Sequence, residues 1–94
     1  MRTSDDDTHQ RLPPPPFWRT VHFALHVMGR GDRRWIDPIE IQGILAAPVR
    51  KERQKDGLLR YWGYIPRLRT CIRVVTLADG ETVHTVFKDR DFVE

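Results

Sequence analysis

The fold turns on residues 49–87, VRKERQKDGLLRYWGYIPRLRTCIRVVTLADGETVHTVF. VRKERQ and LLRYWGYI flank Asp56-Gly57, and LRTCIRVVTL and ETVHTVF flank Ala78-Asp79-Gly80. An Asp-Gly pair accepts the tight backbone geometry of a turn, and the flanking runs are rich in β-branched and aromatic residues. The stretch therefore predicts two hairpins, forming a four-stranded antiparallel meander. Strand alternation would put Val83, Thr85 and Phe87 on one face and Thr82, His84 and Val86 on the other. From a regular strand, His84 and Thr85 then cannot point into one cleft.

Upstream of the meander the periodicity changes. Asp37-Pro38-Ile39-Glu40 reads as a helix start, with Asp at the N-cap, Pro at the first position and Glu in the first turn. Ile39, Ile41, Ile44 and Leu45 supply its apolar stripe, and Pro48 ends it. Before it, Phe17, Val21, Ala24, Leu25 and Met28 recur at the spacing of one helical face. Gly29 and Gly31 weaken the last turn of that helix, so its end is expected between Arg30 and Arg34. Two N-terminal helices packed on a four-stranded antiparallel sheet make an α+β domain over residues 17–94. Residues 1–16, polar and then LPPPP, read as a disordered Pro-rich tail.

At 94 residues the chain has room for one small domain. Residues 1–16 hold two arginines against three aspartates, so the +3 of the whole chain becomes +4 for the remainder. Excess arginine suits a polyanionic partner, since guanidinium grips phosphate at two points, although a solvated basic surface has the same composition. Cys71 is the single cysteine, which excludes an internal disulfide and a multi-cysteine metal site. Its place in TCIRVVTL marks it as a buried structural thiol. No run approaches the ~20 apolar residues of a membrane span, and no signal-peptide core follows the start. The expectation is a cytoplasmic protein with no membrane partner.

Chemistry gathers in HVMGRGDRRWID, residues 26–37. His26 and Arg30 are four apart and share a helical face, which Arg34 extends by a turn. That row reads either as a boundary histidine with solvated arginines or as a general acid or base beside cationic groups that stabilise a transition state. His22 and His26 have a spacing that can hold a metal, but no HExxH glutamate lies between them and Arg30 would repel a cation. No metal or other cofactor is expected. Arg30-Gly31-Asp32 spells an integrin-binding tripeptide by chance, and Gly29-Arg30-Gly31 lacks the context of a phosphate loop. A second polar group lies on the strands: Arg60, Tyr61, Tyr64, Arg73, His84, Thr85 and Lys88. Trp35, Trp62 and Tyr64 are either core aromatics or platforms on which bases stack.

Residues 26–37 resemble the HAxxRMxxRGIS signature that opens the domain of unknown function 4258 family. Ile39–Pro48, IEIQGILAAP, is similar to the second helix of that family, eeVxxxLxxP. Tyr61-Trp62-Gly63, Ile72–Val75 and His84-Thr85-Val86-Phe87 stand at the places of its strands. Val27, Gly31 and Trp35 depart from the usual alanine, methionine and glycine. The resemblance covers about His22 to Phe87 and implies the barnase, EndoU, colicin and RelE-like fold of metal-independent ribonucleases, many of them toxins. It assigns His26 as general acid or base, Arg30 and Arg34 as phosphate contacts, and Thr85 as a hydrogen-bonding group. Tyr64, Arg73, His84 and Lys88 are candidate substrate contacts. The function so implied is a toxin-like ribonuclease that cleaves RNA through its 2′-hydroxyl under control of an antitoxin or immunity protein. The alternative is a non-catalytic RNA-binding or protein-interaction module.

Overall fold

The computed structural model describes residues 11–14, 17–28 and 34–92. In chain order the elements are β1 (Arg11–Leu12), β2 (Arg19–Thr20), a π-helix (Phe23–Val27), α1 (Pro38–Ala46), β3 (Arg50–Arg53), β4 (Leu59–Ile65), β5 (Thr70–Thr76) and β6 (Val83–Lys88). All strands join one sheet in the order β1-β2-β6-β5-β4-β3. Neighbours run antiparallel except β2 and β6, which are parallel.

This corrects the expected layout of two helices on a four-stranded antiparallel sheet, because the sheet is six-stranded and mixed. Of the two extra strands, β2 comes from the segment expected to open the first helix and β1 from the stretch expected to be a tail. A β6 edge left bare would expose unpaired backbone groups, and the chain around Trp18 covers it instead. Val83 N donates to Trp18 O at 2.8 Å. Beyond β2, Arg11–Leu12 lies within the stretch read as a tail and pairs with Arg19–Thr20. Residues 1–10 of that stretch lie outside the described residues.

The first helix is correspondingly short. Thr20 Oγ1 accepts the Phe23 N–H at 3.0 Å and fixes the start beside β2. Met28 N then donates to Phe23 O at 2.9 Å, a five-residue step that widens the turn. The shifted start turns Phe23 and Val27 into the core, while Leu25 and Met28 stand 62% and 40% exposed. The face formed by Ala24, Leu25 and Met28 is therefore not the buried one.

α1 begins as the sequence indicates, with Asp37 Oδ1 accepting the Ile39 N–H at 2.9 Å and Pro38 at the first position. Ile41 and Ile44 are buried on the sheet, but Ile39 points out and is 76% exposed. α1 comes so close to β4 that a Cβ on Gly63 would lie 2.5 Å from Ile44 Cγ1. The core between sheet and helices holds Phe17, Phe23, Val27, Ile36, Ile41 and Ile44 against Leu59, Tyr61, Ile65, Ile72, Val74, Val83 and Val86.

The strand pairings contain one irregularity that matters for the site. Val75 pairs with Thr85 and Thr76 with Val83, so His84 is an extra residue in β6 and the register shifts there. Both Val83 and Val86 are completely buried although three positions apart. With His84 inserted between them and Thr85 paired to Val75, Val83 and Val86 both join the core cluster. The strict alternation expected for β6 is thus broken.

Candidate functional site

The site is assembled around the bulge. His84 Nδ1 lies 3.0 Å from Thr20 Oγ1 across the β2–β6 pair. One lone pair of that hydroxyl already takes the Phe23 N–H. The contact to Nδ1 then uses either the hydroxyl proton or its remaining lone pair, according to the tautomer of His84. The His22 ring packs 4.7 Å from the His84 ring, and the His26 ring 5.2 Å from the His22 ring. Three imidazoles, two at opposite ends of the π-helix and one on the bulge, so form a contiguous row of tilted ring contacts, with interplanar angles of 41° and 31°.

Their electrostatics differ. Burial, followed by the nearby positive charge of His26, lowers the pKa of His22 below its ordinary 6.5. His22 is therefore a neutral imidazole at pH 7, the form a proton acceptor needs. His26 is exposed.

The sheet face opposite the core is covered by no helix among the described residues. One cross-strand row there reads Arg50, Trp62, Arg73, Phe87, each paired with the next. The adjacent row reads Glu52, Arg60, Val75, Thr85. Cations and rings interleave: the Arg73 guanidinium sits 4.9 Å over the Phe87 ring and that of Arg60 5.4 Å over Trp62. Glu52 lies 3.4 Å from Arg60 and 3.7 Å from Arg50, neutralising part of the charge. The Nε atoms of Arg60 and Arg73 are buried and have no hydrogen-bond partner.

Of the residues singled out in the sequence, the fold links His26 to His84 through His22. Thr85 follows His84 in β6 and pairs with Val75, while Arg73 pairs with Phe87 in the adjacent row. Tyr64 is on the same strand as Trp62 but pairs with Cys71, two residues further along, where it borders a cavity of about 300 Å³ with Glu40, Gly43 and Val49. Lys88 lies apart too, its Nζ 5.2 Å over the Trp35 ring near the helix layer. Arg34 is exposed in the turn before α1. Arg30 lies outside the described residues.

Sequence reasoning weighed His22 only as a metal ligand, and Arg50 and Phe92 not at all. The four-residue spacing of His22 and His26 was a usable signal for their contact, whereas nothing local marks His84 as their neighbour. Among the described residues, no three His, Cys, Asp or Glu side chains are placed to hold a metal ion. Two further cavities, of about 360 and 170 Å³, have largely apolar linings that share Phe17. Among the described residues no helix is long and apolar enough to cross a membrane.

Compared with known proteins, the chain matches no family model, no curated protein and no solved structure. The chemistry of the site is accordingly argued from its own residues.

Proposed function

We propose that the protein is a ribonuclease that cleaves RNA by attack of the 2′-hydroxyl on the adjacent phosphate. The observation that carries this reading is the row of histidine rings, with a His22 of lowered pKa in ring contact with a His84 held at the Thr20 hydroxyl. Transesterification needs a base for the 2′-hydroxyl proton, an acid for the departing 5′-oxygen, and donors for the charge on phosphorus. His22 takes the 2′-proton as the new O–P bond forms. The P–O5′ bond breaks, and the 5′-oxygen receives the Nε2 proton of His84 in its doubly protonated imidazolium form, which returns to neutral imidazole. The products are a 2′,3′-cyclic phosphate and a 5′-hydroxyl. Thr85 and Arg73 supply donors from the same face, and His26 adds positive charge when protonated. Arg30 and Arg34 would bind flanking phosphates, as the resemblance noted in the sequence implies. A nuclease of this kind in the cytoplasm requires restraint, which is the place of an antitoxin or immunity protein.

A second reading is favoured by the uncovered sheet face itself. Alternating arginines and aromatic rings bind single-stranded nucleic acid by charge and stacking without any cleavage. One experiment separates the two. Purified protein is incubated with RNA in excess EDTA beside His22→Gln and His84→Gln. Cleavage ending in cyclic phosphate, lost by about 100-fold or more in both variants, is expected for the nuclease. Intact RNA with retained binding leaves the binding module.

A further inference from the structure

The C-terminal segment turns back across the uncovered face. Asp89 extends the ladder beside β5, its N–H donating to Cys71 O at 2.9 Å. From there its carboxylate Oδ2 accepts the Trp62 indole N–H at 2.9 Å. Phe92 stacks on Trp62, with ring centres 5.1 Å apart and planes 16° from parallel. The Arg50 guanidinium lies 5.5 Å over the other ring of this stack, Phe92. Under that cover Trp62 is only 5% exposed, although it belongs to the face away from the core.

What the segment covers is built like a place for something else. Trp62 lies between Arg50 and Arg73 in one row, with Arg60 two residues away on its own strand. The Nε donors of Arg60 and Arg73 are buried without an acceptor, an arrangement that costs stability unless another state supplies one. The segment itself, DRDFVE, places acidic groups next to an aromatic ring. A carboxylate on the indole N–H and a ring on the indole face stand where a phosphate and a base of a nucleotide would stand.

We infer that Arg60, Trp62 and Arg73 form a nucleotide-binding subsite for single-stranded RNA, which the Asp89–Phe92 segment occupies as an internal mimic in the free protein. The base stacks on Trp62 in place of Phe92, and a phosphate oxygen accepts the orphaned Nε protons. The subsite is two strand spacings from β6, about 10 Å, which lies within reach of a nucleotide near the one held at His84. This inference rests on the nucleic-acid reading of the face but not on catalysis.

The test therefore uses a ligand that cannot be cleaved. A short single-stranded 2′-deoxy oligonucleotide is titrated into the full chain, and the Trp62 indole N–H is followed by NMR, assigned with Trp62→Phe. Binding is expected to shift that signal and to remove the Phe92–Trp62 ring contact. Phe92→Ala, which opens the subsite beforehand, should bind several-fold to about tenfold more tightly, because no closed state then competes. Arg73→Gln should weaken binding and lower its salt dependence. An oligonucleotide that binds while the Trp62 signal stays in place, a Phe92→Ala protein with unchanged affinity, or absence of binding to either protein overturns the inference. Loss of cleavage in the histidine variants with these shifts intact would instead bear on the nuclease reading alone.

Discussion

The Thr20 hydroxyl and the His84 imidazole meet at 3.0 Å, 64 positions apart in the chain. The same hydroxyl caps the first helical turn through the Phe23 N–H. One oxygen thus ties the orientation of His84 to the start of the helix that carries His22 and His26. Thr20→Val, which keeps the volume, should lower the cleavage rate by about tenfold or more with little change in KM. Thr20→Ser should restore it. The nitrogen-15 shifts of His84 are the readout that separates orientation from mere stability. Wild-type turnover in Thr20→Val, with the His84 tautomer unaltered, would remove Thr20 from the site.

His22 makes the fold sensitive to mild acid. Its folded pKa lies below the ordinary 6.5, through burial first and the charge of His26 second. The unfolded chain therefore binds the proton before the folded one does. Stability from this group is full above pH 6.5 and declines as pH falls from there through the folded pKa. Urea midpoints measured between neutral pH and pH 5 should show that decline, and His22→Gln should flatten it. An equal decline in both proteins would assign the effect elsewhere.

Asp79 acts in the same direction at lower pH. Burial opposes its ionisation, but hydrogen bonds from the Thr82 side chain and from the Glu81 and Thr82 amides, with Arg11 nearby, hold its pKa below 3.8. Oδ1 accepts Glu81 N at 3.0 Å and Thr82 N at 2.9 Å, which shapes the β5–β6 turn. Its contribution is present above pH 3.8 and lost as pH falls through the lower folded value. Asp79→Ala should cost about 1–2 kcal/mol at pH 7 by chemical denaturation. The gap between variant and parent should narrow in strong acid, and a gap independent of pH would contradict this account.

Gly63 sets how closely α1 approaches β4. A methyl group there meets Ile44 Cγ1 at 2.5 Å, so Gly63→Ala should destabilise the protein by about 1–3 kcal/mol. Ile44→Ala removes the clashing Cγ1, so combined with Gly63→Ala it should cost less than the sum of the two single changes. A double variant whose loss equals that sum would place the strain somewhere else.

Much of this was legible locally. Asp37-Pro38 capped α1, and Asp56-Gly57 and Asp79-Gly80 marked the hairpin turns, where Gly57 and Gly80 have φ of 93° and 75°. Such signals are read within a few residues, since they depend on backbone preferences and short side-chain hydrogen bonds. The helix starting near Phe17 was misread because spacing alone cannot distinguish a helical face from an edge strand followed by a short turn. Leu25 and Met28 had the spacing of a core stripe, yet the bond from Thr20 to Phe23 rotated them outward.

The amino-acid sequence by itself determined where the chain turns and where α1 begins. Tertiary structure alone decided that β6 would be covered by β2, that His84 would be the inserted residue of a bulge, and that it would meet His22. The physical reason is that these features follow from satisfying backbone hydrogen bonds and burying Val83 and Val86 at once, with partners more than 60 positions away. No spacing along the chain encodes such a meeting.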